Sequence, residues 1–102
     1  MADLNDIVHQ PVRLRIMAAM TALDTEIQVE FTYLRDLLKV TDGNLGAHLR
    51  KLENAGYITI EKTFVARKPR TTIATTAMGQ HAFAEHVTTL ASILNGEEQR
   101  KN

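Results

Sequence analysis

Six of the chain's twelve lysines and arginines fall between positions 50 and 70, as Arg50, Lys51, Lys62, Arg67, Lys68 and Arg70. Only Glu53 and Glu61 oppose them, so this stretch carries +4 although the 102-residue chain is neutral overall. Residues 1–49 hold four cations against seven acids, and residues 71–102 hold two against three. Such clustering lets a neutral molecule carry one basic face. Its chemistry is attraction of phosphate, salt-dependent and blind to base sequence. Base discrimination would have to come from Asn44, His48, Arg50 or Lys51, since amide side chains suit adenine edges and cationic ones suit guanine. For Arg50, an internal pair with Glu53 or Asn54 competes with a phosphate contact.

Other reactive residues lead less far. His81 and Glu85 stand four apart with His86 adjacent, a spacing compatible with metal ligation. One histidine and one carboxylate on a shared helical face fall short of a closed ligand set, so a solvated polar edge is expected and no metal. His9 reads as a helix-start residue, and His48 could bond a backbone carbonyl instead of DNA. No cysteine is present, which excludes disulfides and thiolate metal sites. There is no glycine-rich phosphate loop and no nucleophile motif, so neither an enzyme nor a cofactor is expected. With no apolar run near eighteen residues and no basic-then-apolar start, neither a membrane span nor a secretory signal is expected, and a cytoplasmic location follows by default.

The elements that must position these groups follow from periodicity. A composition of 44% hydrophobic and 24% charged residues over this length suits one domain, residues 1–102, with a modest core. Leu4, Ile7 and Val8 suggest a short helical patch. Pro11 suits a helix's first turn, and Ile16, Met17, Met20 and Leu23 continue that helix to about Leu23, with Arg13 and Arg15 near its start. Val29 and Phe31 alternate with Glu30 as a very short strand. Thr32 can cap a helix over Tyr33–Lys39 whose buried stripe is Leu34, Leu37 and Leu38.

Thr41 then caps the helix that organises the chain, ending near Ala55. Leu45, Leu49 and Leu52 form its buried stripe, and Gly43, Ala47, Arg50 and Asn54 project away from it, with Asn44 and Lys51 beside them. Two helices this close in sequence must cross steeply, as in a helix-turn-helix over about 33–55. Asp42 favours the positive end of the second helix's dipole. Gly46 costs roughly 1 kcal/mol inside a helix; close approach of the preceding helix, or of DNA, would account for it, packing being the favoured reading. Gly56 can end the helix in the left-handed conformation with Tyr57 folding back. Ile58, Ile60 and Phe64 alternate with Thr59, Glu61 and Thr63, and the pattern resumes at Thr71–Thr75 after the cationic, proline-bearing tip Ala66–Arg70. These runs predict a hairpin over about 58–75. Thr76 begins a last helix, about 77–94, whose Phe83, Val87, Leu90 and Leu94 offer more apolar surface than one small core needs. The tail GEEQRKN is expected to fray.

The segments HQPVRLRIMAAM, FTYLRDLLKVTDGNLGAHLRKLENAGYI and EKTFVARKPRTT, in this order, resemble the small stand-alone winged-helix transcriptional regulators of the ArsR and MarR kind over about residues 4–94. The resemblance implies an α+β, mostly α fold: a winged helix-turn-helix with a two- to three-stranded β wing and a C-terminal dimerisation helix. It implies a homodimer that regulates transcription by binding double-stranded DNA in a sequence-specific way. One recognition helix would enter each of two major grooves, with the wing on the backbone or in the minor groove. By analogy Thr41, Gly43, Asn44, Ala47, His48, Arg50 and Lys51 would face DNA from the helix, and Lys62, Arg67, Lys68 and Arg70 from the wing. Leu4, Ile7, Val8, Phe83, Val87, Leu90 and Leu94 would join the protomers. Two departures matter: the cysteine-bearing metal box of the ArsR type is replaced by FTYLRDLL, and Gly46 stands where such helices often carry serine. A protein-interaction module and a metal- or ligand-responsive repressor remain the alternatives; the sequence names no effector.

Overall fold

The computed structural model describes residues 3–96. In chain order the elements are α1 (Pro11–Thr21), β1 (Val29–Glu30), α2 (Phe31–Leu38), α3 (Asp42–Asn54), β2 (Ile58–Val65), β3 (Lys68–Thr75) and α4 (Ala77–Leu94). The strands make one antiparallel sheet in the order β1-β3-β2, with Val29 opposite Ile73 and Ile60 also opposite Ile73 on its other side. The expected mostly helical α+β arrangement, with its three-stranded sheet, is what the chain adopts.

The core forms where the leucine stripes meet. Leu34 and Leu38 of α2, Leu45, Leu49 and Leu52 of α3, and Ile16, Met17 and Met20 of α1 are buried together with Ile58 and Ile73 of the sheet. Each such side chain removed from water contributes about 1.5–3 kcal/mol. Leu37, expected in the same stripe, is exposed, as is Leu23, which lies past the end of α1. The eight residues of α2 bury only one narrow side, and Leu34 and Leu38, four apart, occupy it.

Local chemistry sets the ends of the elements. Helix α2 begins at Phe31, inside the segment expected as strand, and Glu30 precedes it without a side-chain cap bond, so Thr32 is not the cap. It stops because Lys39 turns left-handed at φ 57°, and the Val40 N–H donates back to the Arg35 carbonyl at 3.3 Å. Thr41 caps α3 as expected, its hydroxyl accepting from the Asn44 N–H at 3.1 Å. At the other end Gly56, φ 84°, lets the Tyr57 N–H reach the Leu52 carbonyl at 3.0 Å while its own N–H reaches Glu53 at 2.9 Å. This reciprocal pair closes the helix by the Schellman pattern.

The region around Leu4, Ile7 and Val8 is a set of turns, not a helix. Asn5 organises it, its Oδ1 accepting from the Ile7 and Val8 N–H groups at 2.9 and 3.1 Å. Val8 is fully buried within the protomer. It is therefore withdrawn from any surface a second copy could touch, and Ile7 packs on the same core.

The hairpin is tighter than its sequence suggests. Its turn is only Ala66 and Arg67, both left-handed at φ 51° and 67°, the mirror-image turn that matches strand twist in two-residue hairpins. Strand β3 begins at Lys68, so Pro69, expected at the tip, sits within a strand opposite Phe64. A two-residue loop makes Val65–Lys68 a hydrogen-bonded pair, which leaves Phe64–Pro69 as a non-bonded pair where proline's missing N–H costs nothing toward β2. On the opposite side β1 reaches only Thr72 and Ile73. The frayed tail expected at GEEQRKN falls, beyond Gly96, outside the described residues.

Candidate nucleic-acid interface

With its three leucines buried, α3 exposes Gly43, Asn44, Ala47, Arg50 and Lys51. The helix is held at its start by Arg35 of α2, whose Nη1 donates to the Asp42 carboxylate at 2.9 Å while its Nε donates to Asp36 at 3.0 Å. These carboxylates raise the guanidinium's already high pKa, the Asp36 hydrogen bond first. Asp42 thus serves the helix dipole and fixes the angle between the two helices. Because Asp42 is largely exposed and Arg35 only half-buried, the pair contributes little beyond that orientation.

Gly46 has room around it. A Cβ built there would meet only the Arg50 Nη1 at 3.5 Å, and one at Gly43 would meet nothing within 4 Å. Packing by the preceding helix, the favoured explanation for Gly46, is thereby overturned. A glycine that no protein atom requires leaves the helix surface open to something outside the chain.

The hairpin stands beside this surface. Asp42, Gly46, Leu49, Arg50 and Glu53 of α3 and Ile60, Lys62 and Thr71 of the hairpin, with Phe31 of α2, line a common groove of about 680 Å³. Alternation explains who faces it. Ile58, Ile60, Lys62 and Phe64 share one face of β2, paired with Thr75, Ile73, Thr71 and Pro69 of β3. Where this face passes beyond the core its residues become exposed, and Phe64, on the side of Ile58 and Ile60 as expected, is 76% exposed. Lys68 and Arg70 lie on the opposite face. There Arg70 Nε pairs with Glu30 at 3.2 Å, whereas among the described residues the side chains of Arg50, Lys51, Lys62, Arg67 and Lys68 make no hydrogen bond or ion pair. The Arg50–Glu53 alternative is therefore not what the chain adopts.

His48 bonds neither a backbone carbonyl nor solvent alone. Its Nδ1 lies 3.0 Å from Arg13 Nη1, and burial, then the charges of Arg13 and Lys51, hold its pKa below the usual 6.5. His86 has turned away from His81 and Glu85 into the protein. Its Nδ1 accepts from the Asn5 N–H at 3.3 Å, and its Nε2 is 3.2 Å from His9 Nδ1. Burial and the neighbouring His9 lower its pKa as well. His81 pairs with Glu85 at 3.5 Å on the exposed side. Among the described residues no three potential ligands converge for a metal, and no helix is long and apolar enough to cross a membrane.

Residues 12–94 match the winged helix DNA-binding domain. The chain belongs to that family. Within it, this winged-helix protein is 36% identical, over 79% of its length and 85% of the other, to an uncharacterized protein of Methanocaldococcus jannaschii. Its structure is similar to a transcriptional regulator homologue from Pyrococcus horikoshii OT3, at TM-score 0.80 and 29% identity over 90% of this chain and 88% of that one. A PadR family transcriptional regulator from Eggerthella lenta shares the fold at TM-score 0.67 and 21% identity, over 95% and 92% of the two chains. The winged-helix protein thus has the fold of DNA-binding transcriptional regulators. Several of its residues escaped the sequence pattern: Arg13, Asn5 and Gly79 act across long sequence separations, Arg35 bridges the short turn between α2 and α3, and none falls in a periodic stripe.

Proposed function

We propose that the winged-helix protein is a homodimeric, sequence-specific transcriptional regulator of the small ArsR/MarR-like type, cytoplasmic and not an enzyme. In this reading α3 enters the major groove while Lys62 and Arg67 of the wing bind phosphate or the minor groove. The observation that carries the reading is the shared groove. It brings Arg50 and Lys62, cations without an internal partner among the described residues, to one groove that Asp42 and Glu53 also line, on the edge of a helix face whose glycines no protein contact explains. The second copy is called for by α4, which buries only Gly79 and His86 and leaves Val87 46% and Leu94 77% exposed.

Fluorescence anisotropy with 30-base-pair duplexes across a salt series tests the DNA reading. If a dimer neutralises about 6–10 phosphates, log affinity falls against log salt with a slope of about −5 to −9. A flat salt response would sink it. The exposed Phe64 and Val65 at the wing tip favour a second reading, a protein-interaction module; that reading predicts weak salt dependence and no duplex preference. An effector-responsive regulator would instead show duplex affinity that changes when a small molecule or metal is added.

A further inference from the structure

We propose that Arg13 is a positioning residue that holds His48 neutral with its proton on Nε2, so that the recognition helix offers a hydrogen-bond donor there and reads an acceptor on a base edge. The proposal rests on the DNA-binding reading above for its second half only. Arginine carries donors and no acceptor. With Arg13 Nη1 at 3.0 Å from His48 Nδ1, the ring nitrogen must be the acceptor, and the neutral ring's single proton then belongs to Nε2.

Arg13 is itself held in place. Its Nε donates to the Ile7 carbonyl at 2.6 Å, in the turn that Asn5 closes through the Ile7 and Val8 N–H groups. Asn5 is anchored in turn by donating from Nδ2 to the Tyr57 hydroxyl at 2.9 Å. Two donors of one planar guanidinium thus engage groups on two separate parts of the chain, which fixes its plane. A protonated His48 would turn an N–H toward that guanidinium, and burial with the Arg13 and Lys51 charges opposes the cation as well. The ring remains half-exposed on α3. A single N–H donor matches purine N7, guanine O6 or thymine O4, and is mismatched to the amino groups of adenine and cytosine.

Two experiments on the full chain decide it. Long-range ¹H–¹⁵N correlation spectra of the DNA-free protein, with His48 assigned by the signals lost in His48→Gln, are expected to show the Nε2–H tautomer near pH 7. Arg13→Met should give mixed tautomers and Arg13→Lys should restore Nε2–H. An Nδ1–H ring in the wild type overturns the proposal without any variant being needed, as does an Arg13→Met spectrum identical to wild type. Duplexes selected by the wild type from a random pool are then resynthesised one position at a time with 7-deazapurines, 2-aminopurine in place of guanine, or a thymine analogue lacking O4. One acceptor deletion is expected to cost the wild type roughly fivefold in affinity and His48→Ala nothing further. Equal losses in both at every position overturn the base-edge half. Failure to bind any duplex overturns the DNA reading and that half with it, while the spectra still decide the tautomer.

Discussion

Two glycines in helices occupy opposite situations, and the difference is measurable. Gly79 of α4 is buried against the chain: a Cβ there would sit 2.1 Å from the Tyr57 carbonyl oxygen. That oxygen also accepts from the Thr76 N–H at 3.1 Å, while the Thr76 hydroxyl caps α4 through the Gly79 N–H and donates to the Gly56 carbonyl at 2.6 Å. Backbone so tied cannot give way, and Gly79→Ala should lower stability in urea by about 3 kcal/mol. Gly46→Ala should do the reverse, raising stability by roughly 0.5–1 kcal/mol, because only the movable Arg50 side chain is near. If a DNA duplex approaches α3 as proposed, the same substitution weakens binding, so stability and affinity move in opposite directions. An alanine that leaves both unchanged would remove the argument from Gly46. The histidines set a second residue-level expectation. His48 and His86 have folded pKa values below the unfolded value near 6.5. Above that pH both states hold neutral rings and stability is full; as pH falls through 6.5 toward the folded values, the unfolded chain takes up protons first and stability drops. Urea midpoints should therefore fall between pH 7 and pH 5, and His86→Gln combined with His48→Gln should flatten that fall.

At the scale of elements, the wing's cations are not equivalent, although the sequence presents them as one run. Lys62 borders α3, Arg67 occupies the left-handed turn, and Arg70 lies on the other face in a pair with Glu30. Arg67→Ala and Lys62→Ala should each weaken every duplex about equally and make the salt slope shallower by about 1 for every phosphate that a protomer no longer neutralises. Arg70→Ala should do less. A change of base preference at constant overall affinity would contradict a backbone role for the wing. The same elements show what was legible beforehand. Leucine spacing gave α3 its bounds and buried side because 3.6-residue periodicity records burial directly, and Thr41 and Gly56 marked the ends because capping is local chemistry. Leu37 misled because helical spacing does not say how wide the buried stripe is, and the exposure of Phe64 was hidden because alternation assigns a side of a strand but not how far the core extends beneath it. The start of β3 was missed because Pro69 reads as a breaker unless its pairing partner is known. The Arg13–His48 and His9–His86 pairs join residues far apart in sequence, and no local pattern announces them.

For the whole molecule, the decisive quantity is how α4 satisfies its apolar surface. An eighteen-residue helix that packs on α1 with one edge leaves Phe83 and Leu90 partly covered and Val87 and Leu94 in water. Beside it, Ala18, Ala22 and Leu23 of the α1 region help line a groove of about 690 Å³ that continues this surface. Covering such side chains is worth about 1.5–3 kcal/mol each, and a two-fold arrangement counts every one twice, enough to offset the entropy of pairing at micromolar concentrations. Two copies joined through α4 would carry two recognition helices, which on a straight duplex should meet half-sites about 34 Å, one helical turn, apart. Sedimentation equilibrium at tens of micromolar should accordingly give a dimer, and Val87→Glu with Leu90→Glu should give a monomer whose circular dichroism is unchanged, since neither side chain belongs to the buried core. The monomer should bind a single half-site with the same base preference as the dimer but lose the steep dependence on half-site spacing. A wild-type monomer, or a double variant that stays dimeric, would move the second copy off α4 and leave one recognition helix per binding unit.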